Sequence, residues 1–122
     1  MRLVVVLSTI ALVVTAGAQA TLRRGTLTGL VMRGPVTPVC VAEQPCDEPA
    51  ANVTLVFTRD GAAAGTAVTD RFGHYKVRLP AGWYAIRRPL SGSPDRRLQP
   101  NRARVYVGRV TRVDLSIDTG IR

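Results

Sequence analysis

The chain has 122 residues, with 17 basic and 8 acidic side chains, a net charge of +9 and a single histidine. This length is enough for one small domain and leaves no room for a second. A basic balance favours anionic neighbours such as nucleic acid, acidic polysaccharide or phospholipid head groups. The arginines are scattered along the sequence, however, and a GC-rich coding bias would produce the same composition.

Residues 1–20 have the composition of a secretory signal peptide. A basic residue near the start is followed by an apolar core over residues 3–14, and then by small residues that allow cleavage after Ala18 or Ala20. This core is too short for a membrane span, which needs about 20 apolar residues. We therefore predict export, with residues 21–122 as a mature domain without a transmembrane segment that is secreted, periplasmic or cell-wall associated.

The sequence contains two cysteines, Cys40 and Cys46. A closely spaced pair in an exported chain is typical of a disulfide, which here would staple a proline-rich loop over residues 34–51. Closing so short a ring contributes about 2 kcal/mol. The spacing differs from the C-x-x-C of redox sites, and a zinc site needs roughly four ligands. We therefore predict no metal and no cofactor.

The mature part alternates apolar and polar residues over short stretches that turn residues separate, which is typical of β-strands. The run Ala62–Ala64 is too short for a helix, and residues 87–102 form a second long loop rich in proline. The predicted strands are Thr26–Met32, Asn52–Arg59, Thr66–Thr69, His74–Leu79, Trp83–Ile86, Ala103–Val107 and Thr111–Asp118. This pattern predicts an all-β fold, a seven-stranded antiparallel β-sandwich with Greek-key connections.

One side of each predicted strand is apolar, and these sides would form the core. The predicted core residues are Leu27, Val31, Val53, Leu55, Phe57, Val68, Tyr75, Val77, Leu79, Tyr84, Ile86, Val105, Val107, Val113, Leu115 and Ile117. A core of this size is marginal for a domain of about 100 residues, which fits the expected disulfide.

The stretch over residues 69–84, TDRFGHYKVRLPAGWY, combines two turn signals with the starts of two strands. Its turn and core residues are Asp70, Gly73, Tyr75, Pro80, Gly82 and Tyr84. The spacing T-D-x-x-G-x-Y followed by L-P-x-G-x-Y resembles the carboxypeptidase regulatory-like domain, which has a transthyretin-like (prealbumin-like) fold. The cysteine loop and residues 118–122 resemble a subgroup of small exported bacterial proteins.

The resemblance covers nearly all of residues 21–122 and implies a fold rather than an activity. Transthyretin-like hydrolases of purine metabolism have several site histidines and a different C-terminal tetrapeptide. Collagen-adhesin domains that form an internal Lys–Asn bond carry the lysine in their first strand, whereas Lys76, the sole lysine here, lies mid-chain. Neither chemistry is therefore expected.

Few residues offer catalytic chemistry. His74 points outward, and as a general base it would need a nucleophile and an orienting carboxylate, whereas Ser116 and Asp114 lie on a strand remote in sequence. Asp114 and Asp118 share a strand face about 13 Å apart, too far for paired acid–base work. The isolated turn acids are Asp60, Asp70 and Asp95. We therefore predict that the protein is not an enzyme.

Outward-pointing basic and aromatic side chains would form one ligand face if their strands were neighbours. These residues are Lys76, Arg78, Trp83, Arg87, Arg104, Tyr106 and Arg112. Such a face would dock an acidic glycan, with a sugar stacked on Trp83. Nucleic acid is less favoured, because its binding surfaces show denser positive charge. The plainer alternative is a solvated sheet face whose arginines shield exposed edges.

The sequence thus favours an exported, non-enzymatic β-sandwich module with an interaction or structural role in the cell envelope or outside the cell. A binder of anionic polysaccharide or another polyanion is the second hypothesis, and a hydrolase is the third. The expected partner is a protein or an anionic glycan, and the oligomeric state stays open.

Overall fold

Strands make up all of the regular structure that the computed structural model describes, residues 23–121. The predicted signal peptide, residues 1–20, lies outside this range. The ten strands are β1 Arg24–Gly34, β2 Glu48–Pro49, β3 Thr54–Arg59, β4 Ala62–Val68, β5 His74–Pro80, β6 Gly82–Arg87, β7 Leu98–Gln99, β8 Arg102–Val105, β9 Val110–Arg112 and β10 Leu115–Asp118.

The strands form two sheets that pack face to face. In the first sheet β1 is central and pairs with β2, β5, β9 and β10, while β7 extends the sheet beyond β10. The second sheet has the order β4-β3-β6-β8. All pairs are antiparallel except β1 with β9 and β1 with β10, which are parallel. The predicted all-β sandwich of mainly antiparallel strands is confirmed.

The strand count differs from the seven predicted because short elements leave no periodic signal. β2 and β7 have two residues each and lie inside the two predicted loops. The predicted strand over residues 111–118 is divided into β9 and β10. The N–H of Val113 donates to the carbonyl oxygen of Thr28 (2.8 Å) at this break, and a Cβ on Gly29 would lie 2.1 Å from the Val113 carbonyl oxygen. Only glycine fits at position 29, directly beneath the Val113 carbonyl oxygen.

The core agrees with the prediction apart from its edges. Val68 and Val107 were predicted to be buried but are 59% and 53% exposed. Val107 lies beyond the end of β8. In β4 the residues that face the core are not those predicted, because Ala67 rather than Val68 pairs with the inward-facing Leu55. The prediction missed several buried residues, which are Ala50, Val56, Ala67, Leu98 and Ala103.

The turn between β4 and β5 joins the two sheets. The Gly73 N–H donates to the carbonyl oxygen of Asp70 (3.0 Å), and Asp70 Oδ1 accepts the N–H groups of His74 and Phe72, each at 2.9 Å. These backbone donors, His74 first, lower the pKa of Asp70. Gly73 has φ +84°, and its carbonyl oxygen accepts the N–H of Val31 (2.8 Å). The turn therefore docks directly onto β1.

The first long loop carries the predicted disulfide. Cys40 and Cys46 are joined, with their Cα atoms 5.4 Å apart, so that prediction is confirmed. The loop is also pinned by the N–H of Val36, which donates to the Cys46 carbonyl oxygen (2.7 Å). At the end of this region the Thr69 hydroxyl donates to the carbonyl oxygen of Ala50 (2.5 Å). The loop is therefore cross-linked internally, and its C-terminal end is anchored by Thr69.

The second long loop is organised by Asp95, which is only 3% exposed. The Asp95 carboxylate accepts two hydrogen bonds from the Arg88 guanidinium (2.8 and 3.1 Å) and one from the N–H of Arg97 (3.2 Å). Its carbonyl oxygen accepts the side-chain amide of Asn101 (3.3 Å) and the N–H of Leu98 (3.2 Å). The interpretation of Asp95 as an isolated turn acid is therefore wrong. The hydrogen bond from Arg88 is the main cause that lowers the pKa of Asp95, to about 2.

Comparing alanine replacements at Gly73 and Gly61 should separate the cost of a steric clash from the cost of backbone strain. A Cβ at Gly73 would lie 2.6 Å from the Val31 carbonyl oxygen, whereas one at Gly61, where φ is +80°, meets nothing within 4 Å. We expect Gly61→Ala to lower the free energy of unfolding in urea by about 1 kcal/mol, and Gly73→Ala by roughly 3 kcal/mol or more. Equal losses in the two variants would contradict the docking of this turn on β1.

The Asp95 carboxylate should make stability depend on pH. Its folded-state pKa of about 2 lies below its ordinary value of 3.8. The stabilisation, about 2 kcal/mol, is therefore present above pH 4 and is lost as the pH falls through 2. Asp95→Asn should lack this part of the stability at pH 7. The difference in free energy of unfolding between the wild type and the variant, measured by chemical denaturation, should therefore become smaller as the pH is lowered. Asp60→Asn, at an exposed turn with φ 52°, is the matched control and should change stability by less than about 0.5 kcal/mol.

Candidate functional site

The residues of the predicted ligand face do not lie on one surface, because their strands belong to different sheets. Lys76, Arg78 and Arg112 lie on β5 and β9 of the first sheet. The other members lie on β6, on β8 and just beyond β8, in the second sheet, and they are Trp83, Arg87, Arg104 and Tyr106. A single ligand face required these strands to be neighbours in one sheet, and they are not. Each outer face must therefore be considered separately.

The outer face of the first sheet carries three basic side chains, Lys76, Arg78 and Arg112, and one carboxylate, that of Asp114. Lys76 and Arg112 flank Thr28 across β1. Arg112 pairs with Asp114 at 3.0 Å, and Asp114 also accepts the N–H of Leu30 (2.9 Å). The hydrogen bond from Leu30, followed by that from Arg112, lowers the pKa of Asp114. Asp114 thus neutralises Arg112, whereas no ion pair within residues 23–121 involves Lys76 or Arg78.

His74 lies on the same face and is not beside Ser116. The register sets His74 opposite Leu30 and Ser116 opposite Met32. The two side chains are therefore on opposite sides of β1 and two residues apart along it. This arrangement does not bring a base and a hydroxyl within hydrogen-bonding reach, as a nucleophilic mechanism requires.

The outer face of the second sheet carries a row of alternating arginine and aromatic side chains, here called the ladder. The Arg102 guanidinium lies 5.3 Å from the centre of the Trp83 ring, and that of Arg104 lies 6.0 Å from the same ring and 4.9 Å from Tyr106. Arg109 continues the row, 6.0 Å from Tyr106. These distances fit cation–π contacts, which contribute about 0.5–1 kcal/mol each at exposed sites.

The strand pattern of β8 produces this arrangement. Ala103 and Val105 face the core, 4% and 1% exposed, so Arg102 and Arg104 point outward with a spacing of about 7 Å. The register places Trp83 of β6 directly opposite Arg104. Within residues 23–121 the ion pairs are Arg33–Glu48, Arg88–Asp95 and Arg112–Asp114, so no ladder arginine is neutralised by a carboxylate.

A depression of about 510 Å³ adjoins the Arg102 end of the ladder. Arg59 at its rim lies 5.9 Å from the centre of the Tyr84 ring and donates to the Ala81 carbonyl oxygen (3.2 Å). Trp83 and Arg102 form the opposite side. The lining of the depression therefore combines two arginines, Arg59 and Arg102, with one acidic residue, Asp60.

Arg87 does not join the ladder, although it lies on β6. Its guanidinium donates to the carbonyl oxygens of Arg88 (3.4 Å) and Pro89 (3.2 Å) and so holds the second long loop. Conversely, sequence reasoning missed Arg59, Arg102 and Arg109. The alternation of Arg102 with Arg104 was a usable signal for one of them. Arg59 ends β3 in the alternation phase of the inward-facing Leu55 and Phe57, and Arg109 belongs to the turn before β9, so periodicity did not indicate either residue.

The turn and core residues of the stretch over residues 69–84 stabilise the fold. The Tyr84 hydroxyl donates to the Pro80 carbonyl oxygen (2.5 Å), a tyrosine contact that fixes the connection between β5 and β6 in the manner of a tyrosine corner. The Tyr75 hydroxyl donates to the Val113 carbonyl oxygen (2.6 Å). Burial raises the pKa of Tyr75. These groups are occupied by structural contacts.

Two further properties concern residues 23–121 alone. Within this range no three His, Cys, Asp or Glu side chains are close enough together to hold a metal ion. The same part of the chain contains no helix of the length and apolarity that crossing a bilayer requires.

Comparison with solved structures identifies the fold. The Bacillus anthracis TIE protein is similar to this chain with a TM-score of 0.50 and 12% identity, over 79% of this chain and 16% of that protein. At this identity the likeness concerns the fold alone. No protein-family model matches the chain, and no curated protein matches it.

Two other bacterial proteins are similar at lower TM-scores. GBS52, the minor pilin of Streptococcus agalactiae, has a TM-score of 0.49 and 16% identity, over 79% of this chain and 44% of that protein. A DUF3823 family protein from Parabacteroides merdae has a TM-score of 0.44 and 15% identity, over 77% of this chain and 45% of that protein. The chain thus spans less than half of each of the three proteins.

The ladder should be removable without loss of the fold, because its side chains are exposed and unpaired. We expect the triple variant Arg102→Gln, Arg104→Gln and Arg109→Gln to keep its circular dichroism spectrum and to lose about 2–4 kcal/mol of stability, since all four cation–π contacts are removed. Arg88→Gln, a single change of the same type, should cost about as much or more because it leaves Asp95 buried and unpaired. A triple variant that unfolds would show the ladder to be structural.

Proposed function

We propose that this chain is an exported, non-enzymatic β-sandwich module with an interaction or structural role in the cell envelope or outside the cell. The Cys40–Cys46 disulfide supports an oxidising compartment, and the composition of residues 1–20 supports export. Several polar side chains that a reaction could use are instead engaged in turn, loop and sheet contacts, namely Asp70, Asp95, Asp114 and Tyr75. The carboxypeptidase regulatory-like resemblance agrees with this role and is retained as part of the proposal.

The second candidate function is binding of an anionic polysaccharide through the ladder. The observation that favours it is the row of three unneutralised arginines held by Trp83 and Tyr106. Aromatic rings that hold guanidinium groups in place reduce the entropy lost when an anion binds. The ring of Trp83 then acts by positioning Arg102 and Arg104 more than by stacking on a sugar.

Other ligands and activities fit the ladder less well. Single-stranded nucleic acid uses open aromatic faces for base stacking, whereas both ladder rings lie against guanidinium groups. Hydrolysis is the least favoured alternative, since β1 separates His74 from Ser116. Any hydrolytic activity that survives in His74→Ala would have to use a different base.

The polysaccharide proposal predicts a salt-dependent interaction that requires the ladder. The ladder variant Arg102→Gln, Arg104→Gln and Arg109→Gln should elute from immobilised heparin at clearly lower salt than the wild type, because roughly three anion contacts are lost. The matched control, Arg71→Gln, Arg78→Gln and Arg96→Gln, removes the same charge from exposed positions elsewhere and should elute near the wild type.

The outcomes of this experiment are distinct. An equal decrease in the elution salt concentration of the two triple variants would mean that retention depends on net charge alone. That result would overturn a ladder-specific site. Wild-type retention no stronger than that of an unrelated protein of equal charge would overturn polyanion binding altogether. Single-stranded DNA that competes better than heparin at equal charge would exchange the favoured ligand for nucleic acid.

A further inference from the structure

The strand β4, Ala62–Val68, forms an edge of the second sheet and is hydrogen-bonded to β3 on one side only. Its sequence, AAAGTAV, contains no charged residue and no proline. Every other strand of residues 23–121 that is longer than two residues carries at least one charged side chain or a histidine. An uncharged seven-residue edge is therefore exceptional within this basic chain.

The other edges of the two sheets are protected in the ways by which folded proteins prevent strand addition. β8 carries Arg102 and Arg104, β5 carries Lys76 and Arg78, and β9 carries Arg112. β2 and β7 have two residues each, and β2 contains a proline. Short length, charge and proline all discourage pairing with another chain. Among the described strands, β4 alone lacks these features.

The open side of β4 is accessible to a partner strand. Ala62, Ala63, Ala64 and Thr66 are exposed, and Val68 is 59% exposed. In an antiparallel pair alternate residues direct their N–H and C=O groups away from the existing partner. The register with β3 shifts between Phe57 and Thr58, but pairing continues on both sides of this bulge. Edge backbone groups without a strand partner therefore remain over several residues.

We propose that β4 pairs in antiparallel orientation with β4 of a second copy of this chain. The two four-stranded sheets would then form one continuous eight-stranded sheet about a twofold axis, with the same surface used on both sides. This inference goes beyond the proposed function and does not depend on it. Its basis is an exposed edge strand without charge or proline, interrupted only by the bulge against β3, in a chain whose other edge strands are charged or short.

A second copy fits this edge because of where the charge lies. The ladder is at β8, the opposite edge of the same sheet. Self-pairing through β4 separates the two β8 strands by seven strand spacings, about 34 Å. This distance is several Debye lengths at physiological salt, about 8 Å each, so the two ladders scarcely repel one another. The strands that meet bring no like charges together.

The dimer also has a geometric consequence for the ladders. A twofold axis perpendicular to a continuous sheet keeps both outer faces on the same side. The twist of about 20–25° per strand nevertheless rotates the two ladders away from one another over seven spacings, so each ladder would meet its own ligand. An extended, uncharged segment of a different protein is the competing occupant of the β4 edge, and it would leave this chain monomeric when alone.

The test measures the oligomeric state of the purified protein over a wide concentration range by sedimentation and light scattering. The wild type should change reversibly from monomer to dimer. Thr66→Lys places like charges near one another across the β4–β4 seam and should shift the midpoint of dimerisation at least tenfold to higher concentration. Val110→Lys, on β9, adds the same charge at another exposed edge position, 71% exposed in the wild type, and should leave dimerisation unchanged.

Amide hydrogen exchange provides an independent readout that does not need a folded variant. In the dimer the β4 amides that point away from β3 should gain protection as the wild-type concentration rises, while those of β9 should not. A protein that stays monomeric at every concentration would overturn the proposal in favour of a different occupant. A dimer that is equally weakened by both lysine variants, or whose added protection lies outside β4, would also overturn it.

Discussion

The backbone hydrogen bonds of β1 are the constraint on which the rest of this sandwich depends. The first half of the strand pairs with β5 and β9, and the second half pairs with β2 and β10. Both sides of β1 are therefore occupied along most of its length. β9 and β10 follow β1 in the same direction with the same register offset, and the chain between them brings the Val113 carbonyl oxygen directly over Gly29. The Tyr75 hydroxyl of β5 donates a hydrogen bond to the same Val113 carbonyl oxygen (2.6 Å) and holds it in place.

The periodicity of the sequence was sufficient to predict the long strands and most of the core, because alternation reports burial of one face directly. It was insufficient where structure depends on a partner distant in sequence. The phase of β4 follows its register with β3, which leaves Val68 exposed in place of Ala67. The role of Asp95 depends on Arg88, seven positions away in an irregular loop. No local pattern encodes such a contact.

The candidate site shows the same division between local and non-local information. Alternation correctly indicates that Lys76 and Arg104 are exposed, but it carries no information on which sheet each strand joins. The pairing of β6 with β8 brings Trp83 beside Arg104, whereas β5 pairs with β1 in the other sheet. Arg87 was predicted to face a ligand, and its guanidinium instead holds loop carbonyls. Sheet assignment is therefore the step that sequence reasoning could not supply.

The distribution of charge bears on whether the arginines have a role beyond composition. A coding bias alone would scatter arginine over all exposed strand positions. Instead, β4 exposes most of its residues without one charge, while β8, at the other edge of the same sheet, directs Arg102 and Arg104 outward against an aromatic ring. The two proposals thus assign backbone pairing to one edge of this sheet and anion binding to the other. GC-rich coding favours alanine and glycine as well as arginine, so these proposals address the segregation of the residues between strands and not their abundance.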